Sequence, residues 1–510
     1  MGTGISTFSG NTSINLSGGT VSSTLITSID ENVSVPTVTG LTQAAAQTAI
    51  TAAGLVVGTV TQASSATVAA GDVISQSPTA GTAVAQGSAV NLVISSTFTA
   101  LTATLTTARG AQTATLLPSG LILITGGTMS SGHAVTVLNT AEVYNPVANT
   151  FTALTATMTA ARAGHTATLL PNGRVLITGG YNNLPGPADL NTAELYDPVA
   201  NAFTALTATM TTARADHTAT LLPNGQVLLT GGLGNTSFTP VSTAEVYDPV
   251  ANTFTALTAT MTTARGAHTA TLLPNGQVLI TGGYTGQTQP ALNTAEVYEA
   301  LPPSVNAFTA LTATLTTARA FPTSTLLPDG QVLLTGGVTS GGSPPLNTAE
   351  LYDPVASTFT ALTATMTSVR DQHTATLLPN GKVLIAGGQN NANGNGLNTA
   401  ELYDPVASTF TALTATMTTG RENHTATLLP NGQVLLTGGL NGSGPTPLNT
   451  AEVYDPVANT FTAINASMTT GREGHVATLL PNGQVLLAGG VIGTSPSSFT
   501  ALNSAELYAP

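Results

Sequence analysis

A mainly β chain, most of it closed into a ring of eight four-stranded blades, is the fold class this sequence predicts. Three observations predict it. Arginines at 109, 162, 214, 265, 319, 370, 421 and 472 each open a near-copy of one segment, at spacings of 51 to 54 residues. Repetition at such a period marks a supersecondary unit that buries its apolar faces only by stacking on its neighbours. Within each copy, short β-type runs alternate with turn residues four times, the content of one propeller blade. The ends complement each other. The last copy stops at Tyr508-Ala-Pro510 without its fourth run, and a spare fourth run, Thr97-Phe98 to Leu105, precedes the first copy. The N-terminal strand is therefore expected to complete the last blade, Phe98 beside the strand ending in Tyr508, which removes exposed strand edges. The ring takes residues 97–510, after a small α+β domain over 33–96 and an extended arm over 1–32.

The arm is polar and rich in Gly, Ser and Thr, with a short alternating patch from Val21 through Thr24, Leu25 and Ile26. Alternation over so few residues can make a strand but not a core. In the next segment, Val35-Pro-Thr-Val-Thr-Gly-Leu41 reads as a strand and turn. Thr42 reads as the N-cap of a helix through Ala53, stopped by Gly54. Strands follow over Leu55–Gln62, Val73–Gln76 and Ala89–Ile94. In the clean copy that starts at Arg265, His268 to Leu273 reads as the first strand. Pro274-Asn-Gly276 reads as a tight turn in which Asn-Gly takes positive φ angles, and Gln277 to Thr281 as the second strand, ended by Gly282-Gly283. Thr294-Ala-Glu-Val-Tyr298 is the third. The fourth is the run of the type Thr-Phe-Thr-Ala-Leu-Thr-Ala-Thr-Met.

Two families are recognisable in these residues. Val35-Pro, Gly40-Leu41, Ala53-Gly54-Leu55, Ile74-Ser-Gln-Ser-Pro78, Gly81 and Gly87 together resemble a PASTA domain. That resemblance implies an extracellular module that either contacts cell-wall peptidoglycan or serves as a spacer. The paired glycines, the Tyr ending strand three and the aromatic opening strand four resemble Kelch repeats, with Phe at 98, 151, 203, 254, 308, 359, 410 and 461 where Kelch repeats usually carry Trp. Eight blades exceed the six or seven typical of that family. Some Kelch propellers are copper-radical oxidases similar to galactose oxidase, and these need a Tyr–Cys cross-link. This chain has no cysteine.

Composition narrows the function. Only 6% of residues are charged, and the balance of 10 Lys+Arg against 23 Asp+Glu leaves a net charge of −13. Eight of the ten bases are repeat arginines, so no basic cluster remains to bind phosphates, and nucleic acid is excluded as a partner. No apolar run reaches the roughly 18 residues of a membrane span. The N-terminus has neither a basic nor an apolar signal region, so any export signal is of another kind or already removed. Few charges, abundant Thr, Ala, Gly and Ser, and the PASTA resemblance point to an extracellular or cell-surface protein.

No catalytic or metal site is expected, and no cofactor. Arg265, His268, Glu296 and Tyr298 represent positions that recur in the repeats and read as structural. Six histidines recur three residues after the arginine, but ring symmetry sets them too far apart to share one ion. Each is expected to cap backbone groups at the start of a blade. The recurring Arg and Glu, eight of each, are expected to pair while buried, because either charge buried alone is costly. The stretches after the paired glycines vary and map to loops on one face. There His133, Tyr181, Phe238 and Tyr284 stand outside the repeat pattern, where an aromatic can stack on a sugar, dock a partner or fill a gap between loops. Asn11, Asn15 and Asn32 open glycosylation sequons in or beside the arm.

Two functions fit. In the first, the protein is a non-catalytic subunit of a surface fibre or layer. Val21, Thr24, Leu25 and Ile26 then add a strand to a neighbouring copy, and such a head-to-tail contact makes filaments unless its rotation closes. In the alternative, it is a monomeric adhesin or lectin-like protein that binds glycans or proteins with its loops while the PASTA-like module touches cell-wall material.

Overall fold

The computed structural model describes residues 32–63, 65, 67–131, 134–182, 188–234, 239–286, 289–301, 305–390, 396–442, 446–464, 467–493 and 499–510. Val21, Thr24, Leu25, Ile26, Asn11, Asn15, His133 and Phe238 lie outside the described residues.

The first unit contains β1 (Asn32–Ser34), α1 (Gln43–Ala52), β2 (Val56–Ala63), β3 (Val73–Ser77), β4 (Ala83–Ala85) and β5 (Ala89–Ser95). The Thr42 hydroxyl accepts from the Ala45 amide at 3.3 Å, and so satisfies one of the donors a helix start leaves free. Ala46 and Ile50 face a core of Val38, Leu55, Val73, Val90, Leu92 and Ile94. β5 is central, with β2 parallel on one side and β3 antiparallel on the other. The first strand differs from expectation. It ends at Ser34, before Val35-Pro36, and pairs with β4, a strand not anticipated. Proline has no amide to give a ladder and holds its predecessor extended, so the pairing stops there.

The remainder forms eight four-stranded antiparallel sheets among the described residues. In the fourth, Thr269–Leu272, Val278–Thr281, Ala295–Leu301 and Val305–Ala310 lie in chain order. The eighth is composite: Val476–Leu479, Val485–Ala488, Ala505–Ala509 and then β6 (Thr97–Ala100). Phe98 stands opposite Tyr508 in that ladder, their rings 5.2 Å apart, like Tyr298 and Phe308 at 5.3 Å in the fourth sheet. Successive first strands lie side by side, and Val476–Leu479 also lies beside Thr113–Leu116. The second strand of each sheet is buried throughout because both its faces meet other sheets. One inter-sheet layer joins Leu228, Val246 and Met261 to Val278, Ile280 and Tyr298. Another joins Ile122 and Ile124 of the first sheet to Leu486 and Leu507 of the eighth, with Leu105 from the segment after β6.

Two local readings need correction. In the turn from Leu273 to Gln277 only Gly276 has positive φ, at 85°, not Asn275. The Gly276 amide bonds Leu273 O at 2.9 Å and the Leu273 amide bonds Gln277 O at 2.8 Å. Pro274 presets an ordinary type I turn, which a left-handed glycine then closes into a three-residue hairpin. The fourth strand is also shorter than expected. It ends at Ala100 in the eighth sheet, and the following residues cross over instead, so that the amides of Thr106 and Thr107 reach the Glu142 carboxylate. The loops after the paired glycines carry small ribbons of their own, such as Val491–Ile492 with Thr500–Ala501.

Candidate functional site

The repeated polar residues form a network inside the sheets. Arg265 donates from Nη1 to the carbonyls of Gly282 (2.9 Å) and Thr294 (3.1 Å), and from Nη2 to Thr294 Oγ1 (3.2 Å) and Glu296 Oε1 (2.9 Å). The Thr262 amide donates to Glu296 Oε2 at 2.8 Å. The same Arg–Glu contact, at 2.8 to 3.3 Å, recurs in all eight sheets with both side chains fully buried. Burial lowers the Arg265 pKa, and the contact with Glu296 opposes that shift. The paired glycines allow this geometry. Gly283 has φ 92°, and a Cβ there would sit 2.5 Å from Gly266 O.

The histidines reach side chains of the preceding sheet. His268 Nε2 lies 3.1 Å from Thr218 Oγ1 and 3.4 Å from Thr230 Oγ1, both in the preceding sheet. A threonine pair standing across the first two strands is the nearer partner, so each histidine stitches one sheet to the last. Burial, then the Arg265 charge, pushes the His268 pKa down to about 3. His165, His373 and His475 are likewise pushed to about 3, chiefly by burial. Of the two repeats without histidine, the first uses Gln112, whose amide donates to Ala488 O at 2.9 Å. The fifth has Pro322, and Thr269 and Thr281 of the sheet before it bond each other at 2.8 Å.

On the loop face the structure describes two of the four expected aromatics. Tyr181 is half-buried and bridges to Ala163 and Asp189. Tyr284 lies 6.0 Å, ring to ring, from Phe321, a residue sequence reasoning passed over. These two rings line a cleft of about 220 Å³ with Gln289, Ala291, Val338 and Ser340. Two backbone hydrogen bonds tie its walls together: Ala291 N to Thr339 O at 2.7 Å and Phe321 N to Ala267 O at 3.2 Å. The missed signal is positional. Two residues after the arginine the other repeats carry Ala111, Gly164, Asp216, Ala267, Gln372, Asn423 and Gly474; only the fifth has an aromatic.

A second departure is acidic. One residue after the arginine the first five repeats have Gly or Ala, but the last three have Asp371, Glu422 and Glu473. Burial, then the charges of Asp371 and Glu473, raises Glu422 to about 7. Gln389 Nε2 donates to Asp371 Oδ2 at 3.2 Å. Across the face, burial and then Asp216 raise Asp189 to about 6.

At the domain junction β5 runs through Ser96 directly into β6. In four other sheets the tyrosine donates to the asparagine of its following turn, as Tyr247 does to Asn252 at 3.0 Å. Tyr508 has no such turn, and it donates instead to Gln62 Oε1 of β2. Gln62 Nε2 in turn donates to Gln433 Oε1 of the seventh sheet at 3.1 Å, and Gln433 Nε2 to Asp455 at 3.1 Å. Asn32, of the sequon residues beside the arm, is exposed in β1.

With that geometry established, the chain compares with known proteins as follows. The PASTA domain family matches residues 33–96, and the Kelch motif matches 373–415 and 424–466. None of the curated proteins matches the chain in sequence. Among solved structures, a fungal alcohol oxidase of the AA5 family, in complex with copper, aligns at 18% identity and TM-score 0.50, over 81% of this chain and 75% of its own. The fold is thus that of a Kelch-type β-propeller preceded by a PASTA domain. The residues here do not fit a copper centre. Among those described, no three His, Cys, Asp or Glu side chains converge as ligands, and the six described histidines are spent one by one between sheets. No helix among the described residues is long and apolar enough to cross a membrane.

Proposed function

We propose that the protein is a non-catalytic structural subunit of an extracellular fibre or layer. In this reading the eight sheets make one closed eight-bladed propeller, the PASTA domain is a rigid connector, and residues 1–32 join each copy to the next. The observation that carries it is the seat of the PASTA domain. β5 continues into the closing strand, and Gln62 takes the place of the missing turn asparagine beside Tyr508. A module built into the last blade passes load into the ring instead of swinging on a tether. The recurring arginines, glutamates and histidines support the non-catalytic part, since they are occupied in buried contacts within and between sheets. The test is negative-stain microscopy of the full chain against a chain lacking residues 1–32. Filaments or sheets are expected from the first and single particles from the second. Single particles from both, across concentration, would refute the assembly.

A second reading has an observation of its own. The Tyr284–Phe321 cleft favours a surface protein that binds a ligand with its loop face while the PASTA domain contacts cell-wall material. Retention of the protein on cell-surface extracts freed of peptidoglycan, and its loss on Phe321→Asn, tests that.

A further inference from the structure

Phe321 occupies a backbone position that ordinary stability would not give to phenylalanine. Its φ is 55°, in the left-handed region where a bulky side chain is strained. The equivalent residues of other repeats share the conformation, Asp216 at 49°, Gln372 at 52° and Asn423 at 50°, but they are small or polar. Phe321 is also 53% exposed, so burial returns little for that strain. Its neighbour compounds the loss. Pro322 replaces the histidine that elsewhere stitches a sheet to the preceding threonine pair, so the fifth repeat gives up one inter-sheet contact as well. A repeat that departs twice from its template, each time against stability, signals selection for something other than folding.

Of the two departures, Phe321 is the one that lines the cleft. Phe321 and Tyr284 stand with ring planes 42° apart, and Val338 and Ala291 line the space between them. The Gln289 amide, the Tyr284 hydroxyl and the Ser340 hydroxyl, which also bonds the Ser343 hydroxyl, are its polar groups, and no charged residue is among those that line it. The backbone bonds from Ala291 to Thr339 and from Phe321 to Ala267 hold both walls, so the site is formed before any ligand arrives. An anion would find no charged partner among the lining residues, and a cation would find only the faces of the two rings. A neutral ring with an apolar face and a hydroxyl edge would find aromatic surface for the one and amide and hydroxyl partners for the other.

We infer that the cleft between the fourth and fifth sheets binds a single pyranose unit of a neutral polysaccharide, with the sugar's C–H face against Phe321 and Tyr284 and its hydroxyls toward Gln289 and Ser340. The inference rests on the loop-face binding reading and is independent of the arm.

Saturation-transfer NMR on the full chain tests it, with glucose, galactose and N-acetylglucosamine trisaccharides as probes. At least one trisaccharide is expected to receive saturation, strongest at its ring C–H protons. Phe321→Asn, which installs the residue of the seventh repeat, is expected to weaken that binding about tenfold or more while leaving the melting temperature equal or higher. Tyr284→Ala is expected to weaken it as well. Absence of transfer to all three sugars overturns the inference, and so does binding unchanged in Phe321→Asn. If Phe321→Asn abolishes retention on cells although no trisaccharide binds, the pyranose assignment fails while the loop-face reading stands. If retention on extracts freed of peptidoglycan and sugar binding both survive the substitution, both fail.

Discussion

Breaking one of the eight buried ion pairs measures how much each blade depends on its own. Glu296→Gln is the cleanest perturbation, because the amide oxygen can still accept from the Thr262 amide, now 2.8 Å from Oε2. What it removes is the countercharge 2.9 Å from the Arg265 guanidinium, which is fully buried. Leaving a buried charge uncompensated costs about 3 to 5 kcal/mol. Three hydrogen bonds from Arg265 to Gly282 and Thr294 remain, so the lower half of that range is expected. The control is Lys382→Gln. Lys382 pairs with Asp404 at 3.0 Å but is 41% exposed, and glutamine is what five other repeats carry there. An exposed pair contributes about 0 to 1 kcal/mol. Urea unfolding followed by near-ultraviolet circular dichroism of the tyrosines, in a protein without tryptophan, reports both. The double change Arg265→Met with Glu296→Leu should recover only part of the loss, since the Gly282 carbonyl then stays buried without its donor, at about 1 to 3 kcal/mol. Equal midpoints for Glu296→Gln and Lys382→Gln would refute the reasoning, and so would full recovery in the double variant.

Acid should loosen the contacts between sheets through the histidines. Their folded pKa lies below the unfolded value, so the stability they confer is complete above about pH 6.5 and declines as pH falls toward 3. At pH 5 each contributes a loss of about 2 kcal/mol. Glu422 and Asp189, raised to about 7 and about 6, act in the opposite sense over the same interval, so the test is a difference. His268→Gln should make the unfolding midpoint less dependent on pH between 7 and 5, and an unchanged slope would contradict the assignment. Gln62→Ala leaves the buried Tyr508 hydroxyl without its acceptor and should separate PASTA melting from propeller melting in calorimetry. A single unaltered transition would show that the junction is not a structural seat. Gly283→Ala places a methyl 2.5 Å from Gly266 O at φ 92° and should cost more than about 3 kcal/mol, read as failure of the variant to fold at temperatures the parent tolerates.

Which features are legible in the sequence follows from where the repeats constrain the chain. A Tyr and a Phe paired across the outer strands recur often enough that Tyr508, lacking a following strand, points to Phe98 nearly the whole chain away. The Arg–Glu contact is legible for a similar reason. Eight matched opposite charges in an otherwise charge-poor chain have nowhere inexpensive to go but to each other. The histidine contact is not, because its partners are hydroxyls about fifty residues earlier, and threonine is too common here for any one pair to stand out. The PASTA seat is illegible too. It turns on one glutamine, Gln62, in a segment with no second copy to compare. The cleft lies between these extremes. Tyr284 stands out by itself, but Phe321 is visible only when the repeats are read for their exceptions, and so are Asp371, Glu422 and Glu473. In a repeat protein the shared residues report how the unit folds. The position where one copy puts a bulky ring on a left-handed backbone that its siblings give to smaller or polar residues is where a role particular to that copy is to be sought.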